Sequence, residues 1–236
     1  MERGVGLPPN GRRRVLPGIV ALAAAGALLV SGGTNQVGAA APPVSDFDGD
    51  GYGDLVLGVA GEDHSGKIDA GAVTVIYGKK SGANRKRSQA LSQAGGVAGE
   101  PGAGDQFGRS YGTGDINGDG RSDLVVGAPN EANRGVAASG SITVLYGSRK
   151  GLTDKGSAVY TQADVNGGQV ETGDRFGTSL TLGDFNGDGY EDVAVGAPGE
   201  DVGPIVDAGA VDVFYGSAGG LRTTGSASFS QHGAAA

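Results

Sequence analysis

At 236 residues the chain could form one large domain or two small ones, although an internal repeat overrides length as a guide. It contains no cysteine and no tryptophan, which excludes a disulfide framework, a thiolate metal site and a cysteine nucleophile. The formal charge of -8 argues against nonspecific nucleic-acid binding.

The chain opens with Arg12-Arg13-Arg14, then an apolar run from Val15 to Val30, then small residues at Val37-Gly38-Ala39-Ala40-Ala41. This order predicts a secretory signal peptide over residues 1–40, cut near Ala39 to Ala41. The run of 16 residues contains Pro17 and Gly18 and falls short of the roughly 20 apolar residues a spanning helix needs, so no stable membrane span is expected after cleavage. Gly11 stands where a twin-arginine signal prefers Ser or Thr, which favours ordinary secretion. Without residues 1–40, which hold four Arg and one Glu, 14 basic and 25 acidic side chains remain, a net charge of -11.

Next comes the first of three acidic loops, spaced 69 residues apart: Asp46-Phe47-Asp48-Gly49-Asp50-Gly51-Tyr52-Gly53-Asp54, Asp115-Ile116-Asn117-Gly118-Asp119-Gly120-Arg121-Ser122-Asp123 and Asp184-Phe185-Asn186-Gly187-Asp188-Gly189-Tyr190-Glu191-Asp192. Hard oxygen donors at positions 1, 3, 5 and 9, a backbone carbonyl at position 7 and glycine at position 6 suit a calcium loop. Ten aspartates of the acidic excess lie in these loops, where cations would neutralise them. Turn chemistry alone uses Asp, Asn and Gly, but does not require the donor positions to be filled three times over.

After each loop an apolar run predicts a strand buried on both faces: Asp54 to Ala60, Asp123 to Pro129 and Asp192 to Pro198. Position 12 of each loop is Leu57, Val126 or Val195, inside that strand, where a helix–loop–helix calcium site would hold an acidic ligand. A second strand follows with period two, placing Val73, Val75 and Tyr77 on one face, and likewise Ile142, Val144, Tyr146 and Val211, Val213, Tyr215. Ser92-Gln93, Thr161-Gln162 and Ser230-Gln231 repeat at the same spacing and mark an outer strand. Phe107-Gly108 and Phe176-Gly177 stand eight residues ahead of the second and third loops. Each period thus holds about four short strands, and the mature chain shows no amphipathic helix.

These units resemble the FG-GAP repeats of the integrin α-subunit β-propeller. The resemblance rests on Phe107-Gly108 with Gly127-Ala128-Pro129, and on Phe176-Gly177 with Gly196-Ala197-Pro198, at fixed offsets from an acidic loop. It covers residues 44–231 and implies an all-β fold: a partial β-propeller of three four-stranded blades in domain 41–236, with units at about 44–93, 94–162 and 163–231. It implies up to three structural Ca²⁺ ions. Their ligands would be Asp46, Asp48, Asp50 and Asp54, then Asp115, Asn117, Asp119 and Asp123, then Asp184, Asn186, Asp188 and Asp192. The carbonyls of Tyr52, Arg121 and Tyr190 would complete the sites, with affinities on the order of 10⁻⁴ to 10⁻³ M.

The first unit departs from the pattern, with Gly58-Val59-Ala60 and no Phe-Gly upstream, so its blade is expected to be incomplete. After Gln231 the next Phe-Gly is expected near residue 245, whereas the sequence stops at Ala236. Propellers close with four to eight blades. Truncation is the preferred expectation; a split propeller or self-assembly that supplies missing blades are the alternatives.

His64 and His232 neighbour no nucleophile motif and do not recur in register, so no catalytic residue is assigned and an enzyme is not expected. The basic stretch from Lys79 to Arg87 reads as a solvated loop, with an anionic cell-wall polymer as the functional alternative. The expectation is a secreted module that binds an extracellular protein, with loops 61–70, 79–106, 130–139 and 199–208 presented for recognition. A glycan-binding module, an accessory domain of a secreted hydrolase and a fragment without independent function stay open beside it.

Overall fold

Runs of five or six apolar residues closed off by Gly-rich acidic turns are too short for helices and the right length for strands. The computed structural model describes residues 45–165 and 168–230, all within the unit Ala41–Ala236. The expected signal peptide, its cleavage site, Gln231 and His232 lie outside the described residues.

Eleven strands follow in chain order. The first sheet is built from β1 (Leu55–Val59), β2 (Ala72–Ile76) and β3 (Ser88–Leu91). The second holds β4 (Ser110–Gly114), β5 (Asp123–Ala128), β6 (Ser141–Tyr146) and β7 (Thr153–Tyr160). The third holds β8 (Ser179–Gly183), β9 (Asp192–Ala197), β10 (Ala210–Tyr215) and β11 (Arg222–Ser230). Each sheet is an antiparallel meander of sequential neighbours. Among the described residues there is no α-helix, only short 3₁₀ turns at Gln93–Gly95 and Gln162–Asp164. The architecture is an all-β, open partial propeller of three blades, the first with three described strands.

The core lies between the sheets. One buried cluster joins Val73, Val75 and Tyr77 of the first blade to Phe107, Leu124 and Val126 of the second. A second joins Ile142 and Val144 to Phe176, Val193 and Phe214. Alternation along β2 and β6 therefore points the predicted faces at the next blade. Tyr77 reaches across as well, its hydroxyl accepting the Leu152 N–H at 2.9 Å.

Glycine makes the junctions close. Gly71 pairs with Phe107 and Gly140 with Phe176 as parallel bridges between blades. A Cβ on Gly71 or Gly140 would lie 2.2 or 2.1 Å from the Phe107 or Phe176 carbonyl oxygen. On Gly58 or Gly127 it would lie 2.1 or 2.2 Å from the carbonyl oxygen of Gly108 or Gly177. The recurring Phe-Gly and Gly-Ala-Pro segments are thus two halves of one contact, joined across successive blades.

Two expectations need adjusting. The strand β1 was expected to be buried on both faces, yet Leu55, Leu57 and Val59 are exposed at 42%, 38% and 38%. That face looks away from the second blade, and no described strand covers it. The Ser92-Gln93 and Thr161-Gln162 pairs do not lie in the outer strand but just past it, where Gln93 and Gln162 open the 3₁₀ turns. Ser230, by contrast, ends the outer strand β11 as expected. The glutamine side chains are buried because they cross to the next blade, where Gln93 Nε2 donates to Glu131 at 3.0 Å and Gln162 Nε2 to Glu200 at 2.7 Å.

Candidate metal centre

The three acidic loops sit at the same end of successive sheets, each leading into β1, β5 or β9. Short side chains and left-handed glycines let each loop fold around its first aspartate. Asp46 accepts the N–H groups of Gly49, Asp50 and Gly51 at 2.8, 3.2 and 2.9 Å. Asp115 accepts those of Asp119 and Gly120 at 3.0 and 2.8 Å. Asp184 accepts those of Gly187, Asp188 and Gly189 at 2.7, 3.0 and 2.9 Å. Positions 3 and 5 repeat the device two residues on. Asp48, Asn117 and Asn186 cap the N–H of position 5. Asp50, Asp119 and Asp188 cap that of position 7, in Tyr52, Arg121 and Tyr190. Gly51, Gly120 and Gly189 at position 6 have φ of 87°, 82° and 89°, open only to glycine at little cost.

Position 9 has a different setting from the other donors. Asp54, Asp123 and Asp192 each accept the N–H of position 2 at 2.9 to 3.0 Å. With the other oxygen each accepts the N–H of Gly78, Gly147 or Gly216 at 2.7 to 2.9 Å. These carboxylates pin the loop to the end of the neighbouring strand; Asp123 and Asp192 are fully buried. Each bonded oxygen keeps a second lone pair, so a structural clamp and a ligand role are compatible. Burial pushes the Asp123 carboxyl up to about 7, with Asp115 and Asp119 adding to the rise and the two N–H bonds opposing it. Burial also raises Asp54.

Ligand atoms of Asp46, Asp48 and Asp50 lie within 4.8 Å of one another, three hard oxygens converging on one point. This donor set fits a divalent cation of the calcium type and does not suit a soft metal. Each loop also carries a guanidinium. Arg87 donates to Asp48 and stacks on the Tyr77 ring at 4.2 Å. Arg121 pairs with Asp119 at 3.3 Å and Arg222 with Asp188 at 3.5 Å. The basic neighbours of Arg87 read as a solvated loop, and nothing in its local sequence marks a partner 39 residues away. His64 lies in a turn closed by backbone bonds with Lys67.

The loops also join to one another. The Asp46 and Asp115 carbonyls accept the N–H groups of Ser122 and Glu191, position 8 of the following loop, at 2.9 and 3.0 Å. A Cβ on Gly49 would lie 3.3 Å from the Arg121 side chain, and one on Gly118 would lie 2.7 Å from Tyr190. Position 7 therefore turns its side chain onto the preceding loop.

The model of the FG-GAP repeat family matches residues 37–76, 107–145 and 176–214. The chain is 32% identical over 154 residues to phosphatidylinositol-glycan-specific phospholipase D of Bos taurus, a match covering 65% of this chain and 18% of that protein. It is 40% identical over 124 residues to integrin alpha-PS3 of Drosophila melanogaster, covering 50% and 10%. It is 34% identical over 167 residues to integrin alpha-X of Mus musculus, covering 69% and 12%. The matched region thus spans less than a fifth of the length of each of these relatives.

Proposed function

The chain belongs to the FG-GAP repeat family, and on that premise we propose that it is a secreted, noncatalytic recognition module whose blades are held in shape by Ca²⁺. The observation that carries this reading is the same oxygen cradle at the same end of three successive blades. The proposed ligands are the side chains at loop positions 1, 3, 5 and 9 and the position-7 carbonyls of Tyr52, Arg121 and Tyr190. Bound there, Ca²⁺ would neutralise clustered carboxylates and stiffen loops already tied to one another by backbone bonds. Recognition would fall to the loops between strands, where Ile68 and Val206 are exposed at 66% and 71%. Among the described residues no helix is long and apolar enough to cross a membrane.

The test is a thermal melt of the full chain in millimolar Ca²⁺ and in excess EDTA. At a tenfold excess over the dissociation constant, each occupied site stabilises the fold by about 1.4 kcal/mol. A cooperative transition at the same temperature in both buffers would remove the metal from this reading. A glycan array probed in Ca²⁺ separates a protein-recognition module from a glycan-binding one, since saturable glycan binding would displace the first in favour of the second.

A further inference from the structure

Between Ala70 and Gly99 the chain has no acidic residue, and again none between Ala132 and Thr153. These stretches contain the turns that join β2 to β3 and β6 to β7, and with them Lys79, Lys80, Arg85, Lys86, Arg149 and Lys150. All six side chains are exposed, and none forms an ion pair among the described residues. The two turns belong to successive blades, and Arg87 joins them. One of its terminal nitrogens donates to Asp48 and the other to the Lys150 carbonyl, the latter at 3.1 Å. Two residues on, Gln89 Nε2 donates to the Leu152 carbonyl at 3.0 Å. The basic turns therefore form one surface beside the first acidic loop, whose Asp48 is already engaged by Arg87.

The fold does not ask for these charges. Gly82, Gly151 and Gly220 donate to the carbonyls of Lys79, Ser148 and Ser217, each at 2.8 Å, so the same turn closes in all three blades. In the third blade Ser217, Ala218 and Gly219 complete that turn without a charged side chain. Six unpaired cations on two adjoining turns repel one another, which turn formation gives no reason to tolerate. A bound polyanion gives one.

We propose that this surface binds a linear anionic polysaccharide, whose sulfate or carboxylate groups span the turns of the first two blades. The polar character of the turns selects that partner. An acidic protein segment needs apolar or aromatic anchors, and the exposed turn residues offer only Ala83. A single-stranded nucleic acid needs a row of exposed rings for its bases. The two turns contain none: Tyr77 at the foot of one is buried beneath the Arg87 guanidinium, and Tyr146 at the foot of the other packs against the core. An anionic membrane is a plane. It would meet the exposed Asp50 and Asp119 of the acidic loops, which lie at the same end of the blades as the basic turns. A narrow chain can follow the turns and avoid them.

The experiment measures binding of the full chain to immobilised dextran sulfate and polygalacturonate in millimolar Ca²⁺ over a range of salt. Saturable binding that weakens with salt is expected, because exposed charges carry it. Lys79→Gln with Lys80→Gln, and Arg149→Gln with Lys150→Gln, should each weaken binding at least about threefold, and all four together at least about tenfold. The melting temperature should stay unchanged, since these positions are exposed and unpaired. Arg109→Gln with Arg134→Gln removes the same charge at the other end of the blades and should leave binding within about twofold. Binding to one polysaccharide alone supports the proposal and names the anionic group. No saturable binding to either, or an equal loss in the Arg109 and Arg134 control, would overturn it. Tighter binding to a single-stranded oligonucleotide, to polyglutamate or to anionic phospholipid vesicles would also overturn it, by giving the surface to another partner. A loss with Lys79 and Lys80 but none with Arg149 and Lys150 would refute a surface shared by two blades.

Discussion

The second and third blades carry nearly the same residues at the same register, yet they differ in what those residues experience. Ile142 and Ile116 are fully buried in and beside the second blade; Val211 and Phe185, their counterparts in the third, are exposed at 44% and 52%. Hydrophobicity in such a repeat is a property of the junction and not of the blade, so each unit depends on its neighbour for its core.

The most severe way to break this comparison is to empty a filled junction. Phe176→Ala should cost about 3 to 5 kcal/mol by urea denaturation, whereas Phe185→Ala or Phe229→Ala should stay within about 0.5 kcal/mol. Equal losses at buried and exposed positions would refute the claim that the junction sets the energetics. The next effect separates clamp from cradle. Asp123→Ala leaves the Ile116 and Gly147 N–H groups without a partner in a buried place and should cost about 2 to 4 kcal/mol even in EDTA. Asp50→Ala, at an exposed rim, should change only the Ca²⁺-dependent part of the melt.

A smaller effect tests the cross-blade pairs. Burial pushes the Glu200 carboxyl up to about 7 from an ordinary value of 4.5, with the Gln162 bond opposing the rise and Asp174 adding to it. The folded state therefore holds a proton that the unfolded state releases between those values. Stability from the neutral form is full below about 4.5 and is lost as pH rises toward about 7. Glu200→Gln, which still accepts the Gln162 amide, should flatten that decline and raise the melting temperature at about pH 8 relative to the parent chain. A variant with the parent's pH profile would show that Glu200 is not the titrating group. The smallest change sharpens the difference between loops. Arg87→Gln frees Asp48 from its guanidinium and should tighten Ca²⁺ binding at the first loop about two- to fivefold by calorimetry, leaving the other loops unchanged.

Much of this architecture was legible because a fixed period of 69 residues repeats loop, strand and turn together. The alternation from Val73 to Tyr77 gave the face, and the Phe-Gly and Gly-Ala-Pro segments gave the family. The sequence did not reveal that those two segments touch, because the contact is backbone against glycine and leaves no complementary side chains to read. Glu131 and Glu200 were overlooked although they share the period with Gln93 and Gln162. The signal was present but looked like a solvated acid, since Glu62, the third member, is exposed. The double backbone clamp of Asp123 was hidden inside a motif that reads as ligand only.

The glycines at the blade junctions have a consequence for how such a chain can vary. Because the coupling runs through main-chain carbonyls, amides and bare Cα atoms, it consults few side chains: a phenylalanine, and small residues where the backbones pass. The loops at 61–70 and 130–139 keep their outward side chains free of that contract, though their backbones anchor the next blade. Units of this kind are interchangeable parts with a common coupling, so their outer loops can diversify while the pitch from one blade to the next stays fixed.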